Sequence, residues 1–295
     1  MTRRPDDTPL RRFIAGYAGS RLAVAAFAVL LATVLVAVFA PVLTPQDPYD
    51  LTQLNILDGR LPPGSESLGG TTYWLGTDDQ GRDLVSAIAY GLRISLSVGA
   101  ISTVTALLIG TTIGLLAGFF GGRLDSVLMR IVDIQLSFPA ILTALILIAL
   151  LGKGLDKVII ALVTIQWAYY ARTVRGSALL ERRKEYVEAA RCLKLPTRRI
   201  IFRHILPNCL APLIVIASVQ VAQAIILEAT LSFLGLGLPV TQPSLGLLVA
   251  NGFAFVMSGK LWISFFPGLA LLIVVMSINL VGDRLRDVLN PRLAA

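Results

Sequence analysis

The sequence predicts an all-α membrane protein with six transmembrane helices, and three observations carry that prediction. Of the 295 residues, 55% are hydrophobic and only 15% are charged, a balance that soluble domains rarely show. The apolar residues gather into runs of about 20, the length an α-helix needs to cross a bilayer core. Between the fourth and fifth runs lies a polar, basic island, Arg182–Asn208, reading RRKEYVEAARCLKLPTRRIIFRHILPN.

Residues 1–21 form a tail carrying Arg3, Arg4, Arg11, Arg12 and Arg21. The first apolar run, 22–43, exceeds the roughly 7–15 residues of a signal-peptide core, so it reads as a retained first helix. Residues 44–93 read as an extracytoplasmic loop, with turn signals at Pro45, Pro48, Pro62-Pro63-Gly64 and Gly69-Gly70. Within it, Asp78, Asp79, Arg82 and Asp83 offer a cation site or, the favoured reading, a hydrogen-bonded turn with an Asp–Arg pair. The part from Ser86 onward reads as a helix lying near the interface.

Residues 94–284 hold the other five spans. The second is Ile94–Phe120, where Ala106, Gly110, Gly114 and Gly118 recur every four residues on one face. Small residues at that spacing let another helix approach closely without naming which one. The third, Ser126–Leu151, carries Arg130 and Asp133 three apart, able to pair, and a kink at Pro139. Lys157–Val174, Cys209–Phe233 and Trp262–Val281 follow, then a tail of residues 285–295.

With six spans and the N-terminus inside, the outward segments hold Arg60, Arg82, Arg93, Lys153, Lys157 and Lys260. The remaining 20 of the 26 Lys and Arg residues fall inside. Cationic residues collect on the cytoplasmic side, which puts both termini and the island there. The net charge of +8 therefore reflects topology, and no basic stripe with interleaved aromatics suggests nucleic acid. Cys192 and Cys209 lack metal or CxxC spacing, and His204 is the single histidine. No GxxxxGK[ST] loop is present to bind nucleotide phosphates. No catalytic pair within membrane depth supports an intramembrane enzyme. A stand-alone secondary transporter would favour broken helices in matching halves. Neither alternative accounts for the island.

In the island, Glu185–Lys194 is a run of good helix formers, interrupted by Leu195-Pro196. A residue before proline is driven out of the α region, and Pro196 suits the first turn of a new helix. The island reads as two short helices joined by a sharp turn, a shape that rests in a groove of another protein. Elsewhere, polar residues inside spans are costly and often mark a pathway. Gln220, Gln223, Glu228 and Asn279 are the candidates here. Interhelical hydrogen bonding is the other reading of these residues, and Glu228 also suits the outer interface.

Glu188-Ala189-Ala190, followed by Ile205-Leu206-Pro207-Asn208, resembles the EAA loop of ATP-binding-cassette importer permeases. Four further segments are similar to the second permease of the dipeptide/oligopeptide/nickel family. They are Trp74–Leu96; Met129-Arg130 with Asp133 and Ser137-Phe138-Pro139; Glu228-Ala229 with Leu231–Gly237; and Pro243–Gly246. The resemblance covers nearly the whole chain. It implies a type I ABC importer permease fold with a cytoplasmic coupling helix, in a bacterial inner membrane. The implied cargo is dipeptides or oligopeptides, with nickel, glutathione or another small solute as alternatives.

The implied partners are a homologous permease, two ATPase domains that carry ATP and Mg, an extracytoplasmic binding protein and membrane lipid. No cofactor is implied on this chain. Residues implied to meet the ATPase are Glu185, Glu188, Ala189, Ala190, Arg191, Lys194, Leu195, Pro196 and Arg198. Ala189 and Ala190 are expected to keep the contact face slim. One position departs from the family pattern: Lys194 stands where a glycine is usual. Glycine permits positive φ, so the bend is expected to come from Leu195-Pro196 instead.

Overall fold

The computed structural model describes residues 9–67, 70, 72–239 and 241–289. Residues 1–8 and 290–295 of the predicted tails therefore lie outside the described residues. Crossing lipid requires that every backbone polar group be bonded within the chain, and helices meet that need segment by segment. α1 (Pro9–Ala18) leads into α2 (Arg21–Val38), whose N-cap Ser20 accepts from the Ala23 N–H through Oγ. A one-turn α3 (Ala40–Leu43) closes the first apolar run.

The loop that follows is more structured than its turn signals suggested. It holds 3₁₀ turns at Leu51–Gln53 and Ile56–Asp58 and a two-stranded antiparallel hairpin, β1 (Ser65–Glu66) with β2 (Thr72–Tyr73). The all-α prediction thus gains a minimal sheet. At its base, Asp78 Oδ1 accepts from the N–H groups of Gln80 (2.8 Å) and Arg82 (2.9 Å). Arg82 lies 3.7 Å from Asp78 Oδ2, and both side chains are fully buried. This is the hydrogen-bonded turn with an Asp–Arg pair. Burial pushes the Asp78 carboxyl up to about 6, against the opposing pull of Arg82.

Asp83 then caps α4 (Leu84–Phe120), accepting from Ser86 N–H at 2.8 Å. The separate interfacial helix expected from Ser86 does not exist. No helix breaker separates it from the second span, so one 37-residue helix runs through both. The kink predicted at Pro139 in the third span is present and is a full break. The span is two helices, α5 (Gly122–Ser137) and α6 (Ala140–Leu151), bent by 91°. Pro139 forces Phe138 into extended backbone (φ −90°, ψ 138°), which ends α5. Asp133 pairs with Arg172 at 2.5 Å rather than with Arg130.

α7 (Leu155–Glu181) and α8 (Glu185–Cys192) come next, then a turn, α9 (Thr197–Arg199), a π-helical stretch (Ile200–Ile205) and α10 (Leu206–Phe233). The last three form one continuous helical stretch, Thr197–Phe233. The second short helix predicted for the island is therefore the beginning of the fifth span. Within it Leu206 N–H bonds to Ile201 O, a wider turn than the α-helix makes. Such a turn eases the clash a proline ring at Pro207 makes with the carbonyl four residues back. α11 (Leu245–Phe253) and α12 (Trp262–Leu289) complete the chain, and α12 runs into the predicted C-terminal tail.

Among the described residues, α2, α4, Thr197–Phe233 and α12 are long and apolar enough to cross a membrane, and α5–α6 makes five if counted as one span. The glycine-spaced face of α4 packs on α7. A Cβ on Gly114 would meet Ala171 O at 2.5 Å, and one on Gly118 would meet Ala178 Cβ at 2.8 Å. Buried Ala106, Tyr170, Val174 and Ala178 continue the seam.

Candidate coupling site

The described part of the island is an elbow. α7 ends at buried Glu181, which accepts from Lys184 Nζ at 2.6 Å and Tyr186 Oη at 2.5 Å. Asn208 Nδ2 donates to Tyr186 Oη (3.2 Å) and to His204 O (2.7 Å), so the elbow is tied to the foot of α10. Burial, followed by the Glu181 carboxylate, pushes the Tyr186 hydroxyl up to about 12. Arg182 Nη1 donates to Phe119 O at 2.8 Å, satisfying a carbonyl at the open end of α4. Arg191 lies over the Phe119 ring at 5.4 Å, a cation–π geometry.

α8 has two faces. Val187 and Ala190 are buried in a cluster with Ile200, Ile201, Ile205 and Cys209. Glu185, Glu188, Ala189, Arg191, Lys194, Pro196 and Arg198 are exposed, and Leu195 is half-buried. The two alanines therefore separate. Ala189 faces outward, whereas Ala190 seats the helix on its own bundle, which corrects the expectation that both keep the contact face slim. Sequence reasoning also missed Leu193, which is 74% exposed at the tip of the turn. Its signal was an apolar side chain in a polar bend, where no residue of the same chain can cover it.

The turn itself overturns the expectation about Lys194. Lys194 adopts φ 52°, the left-handed conformation usually left to glycine. Leu195 N–H bonds to Ala190 O (3.1 Å) and Lys194 N–H to Arg191 O (2.8 Å). That pair of bonds is a Schellman motif, with Lys194 at the left-handed position and Leu195 packing back on the helix. Pro196 sits at the N-cap of α9, one residue earlier than predicted. Lysine fills the glycine's position without removing the bend.

The intramembrane candidates divide. Glu228 is fully buried, and the Oγ–H groups of Ser95 (3.1 Å) and Ser232 (2.8 Å) donate to it, with Ser244 a third hydroxyl partner. It ties α4, α10 and the start of α11 together. It is buried away from any cleft or open interface, which departs from the pathway and outer-interface readings and agrees with the interhelical hydrogen bonding also offered for it. Gln220 and Gln223 line a 510 Å³ cleft beside α6 and α7. Asn279 is half-buried in α12.

Long apolar helices carrying one exposed, internally braced elbow are the architecture of a membrane transport permease. This chain belongs to the family described as binding-protein-dependent transport system inner membrane component, which matches residues 110–295. Residues 8–63 match the N-terminal TM domain of oligopeptide transport permease C. It is therefore a transport component and not an enzyme.

The chain is 39% identical to the dipeptide transport system permease protein DppC of Alkalihalophilus pseudofirmus, covering 93% of this chain and 87% of that protein. It is 37% identical to the oligopeptide transport system permease protein OppC of Bacillus subtilis (94% and 88% covered). It is also 37% identical to the glutathione transport system permease protein GsiD of Pectobacterium atrosepticum (97% and 92% covered). The inward-facing MetNI methionine ABC transporter shares the fold, with a TM-score of 0.57 at 22% identity over 69% of this chain and 96% of the matched chain.

Proposed function

We propose that this chain is the translocating permease subunit of an ATP-driven importer of dipeptides or oligopeptides. The reading supposes six crossings, with α7 as the additional one. α7 has 27 residues, about 40 Å of helix, which is enough to span. α4 and α10 cover one side of it, and its arginines Arg172 and Arg175 pair with Asp133 and Asp125 of α5. With both termini inside, the elbow faces the cytoplasm, as the cation distribution favours. A homologous permease would complete the pathway, an extracytoplasmic binding protein would deliver cargo, and two ATPase domains would bind ATP and Mg. Peptide permeases among its relatives support the cargo class. The glutathione relative supports only a variant of it, since glutathione is itself a small peptide.

The observation that carries this reading is the two-faced elbow. Val187 and Ala190 anchor it, leaving Glu188, Ala189 and Leu193 free for a foreign groove. ATP would favour the conformation whose ATPase dimer it binds better, and the elbow would pass that preference to α7 and α10. Glu188→Arg places the wrong charge on an exposed face and leaves the buried face intact. It is expected to retain the permease in the membrane, to lose most ATPase co-purification, and to lower peptide uptake at least about tenfold, the effect of 1.4 kcal/mol. Normal co-purification and uptake in this variant would refute the docking assignment.

A further inference from the structure

The cleft between α7 and α10 contains an unanswered acceptor. Gln166 is 3% exposed, and its Nε2 donates to Gln220 O at 2.9 Å. Its Oε1 is buried with no hydrogen-bond partner. A buried amide oxygen left unbonded is costly, by about 1–3 kcal/mol. Gln166, Gln220, Gln223 and Tyr169 are the larger polar residues of the lining, and no Asp, Glu, Lys or Arg is among the described lining residues. Gln166 and Gln220 lie near the middle of their helices, which puts the cleft near mid-membrane in the proposed topology.

We propose that this cleft receives the backbone of the transported peptide, with exposed Gln223 and Tyr169 offering neutral partners and the Gln166 carboxamide turning so that Oε1 accepts from a peptide N–H. The inference rests on the peptide-importer reading. Carboxamides carry both a donor and an acceptor, so they match either edge of a peptide group. Lacking charge, they discriminate little between acidic and basic cargo side chains. An extended peptide has unbonded N–H and C=O groups to offer. A helix of a second permease does not, because its interior backbone groups are bonded to one another. The cleft volume of 510 Å³ falls within the range of small-ligand sites.

The test uses the complete transporter in proteoliposomes: both permeases, the ATPases and the binding protein. Uptake of Ala-Ala-Ala is compared with that of the same peptide N-methylated at each bond in turn, for wild type and Gln166→Leu. N-methylation is expected to slow wild-type uptake at one bond by about fivefold more than it slows the variant, the worth of one hydrogen bond. Any preference of the binding protein is common to both and cancels. Uptake of Ala-Glu-Ala and Ala-Lys-Ala is expected to fall equally in the variant. An identical N-methyl penalty in both proteins overturns the proposal.

Should Gln166→Leu fail to assemble, a diazirine-bearing tripeptide is photolysed in the wild-type transporter during turnover. Adducts on α7 or α10 beside Gln166 and Gln223 are expected. Adducts only elsewhere, or Gln223→Cys forming a disulfide with a cysteine placed on the second permease, overturn it. If wild type takes up no tripeptide at all, the importer reading itself fails. Uptake with adducts elsewhere removes only the cleft assignment.

Discussion

The α4–α7 seam and the α8 elbow adjoin each other at Glu181, yet different forces hold them. The seam relies on absent side chains: Gly114 and Gly118 bring two backbones together where even one methyl group would collide. The elbow relies on present ones: the Glu181–Tyr186–Asn208 chain of hydrogen bonds and a Schellman turn. Packing without room to shift makes the seam a rigid body. A helix anchored by two buried residues and a few hydrogen bonds can be gripped by a partner. Under the proposed function, the contrast describes how a force applied by a partner would reach the interior of the bundle. It would enter where side chains protrude and travel where they are missing.

Four substitutions probe that contrast beyond the elbow test above. Gly114→Leu attacks the seam and is expected to have the largest effect, because overpacking costs about 1–3 kcal/mol even where neighbours can adjust and here the obstacle is backbone. Most of the chain should be lost from the purified complex on size exclusion. Assembly at wild-type yield would mean that α4 and α7 are not in close contact.

A smaller effect is expected at the bend between seam and elbow. Asp125 of α5 accepts from Arg175 Nε (2.5 Å) and Nη2 (2.7 Å), a two-pronged, partly buried pair. Asp125→Asn should lower thermal stability by about 1 kcal/mol after allowing for screening by solvent. Asp133→Asn should cost less, because its pair with Arg172 is more than half exposed. Equal losses would show that α5 is not fastened mainly at Asp125.

An effect of the opposite sign, a gain, is expected in the elbow itself. Lys194→Gly removes a strained left-handed residue, worth about 1 kcal/mol. Hydrogen exchange at the Leu195 amide, which bonds to Ala190 O, should slow by about fivefold. Faster exchange would mean that the lysine side chain steadies the turn.

Much of this was legible in the sequence because lipid leaves few options. Apolar runs of membrane length gave the helices, and the four-residue glycine spacing marked a close-packed face. The partner of that face was not legible, since spacing describes one surface and not what meets it. Continuity was misjudged twice. Polarity changed at Ile94 without a residue to end the helix, and near Cys209 the wide turn before Pro207 carries the helix past the proline, so α4 and the Thr197–Phe233 stretch ran on. At Phe138-Pro139 the backbone broke where a charged helix gives way to an uncharged one. The elbow's residues were found by pattern, whereas which of them face outward depends on the cluster beneath Ala190, built from residues ten and more positions away.

The Glu228 cage has a practical consequence. Its hydroxyl partners are Ser232 one turn on in α10, Ser244 at the start of α11 and Ser95 of distant α4, and Gly246 sits against Ala229 where a Cβ would strike backbone. These stretches form one mechanical part. Hybrid permeases made to exchange outer segments between relatives need to transplant residues 228–246 as a block, together with a matching hydroxyl at position 95. A crossover inside that block would strand a carboxyl group in the bilayer.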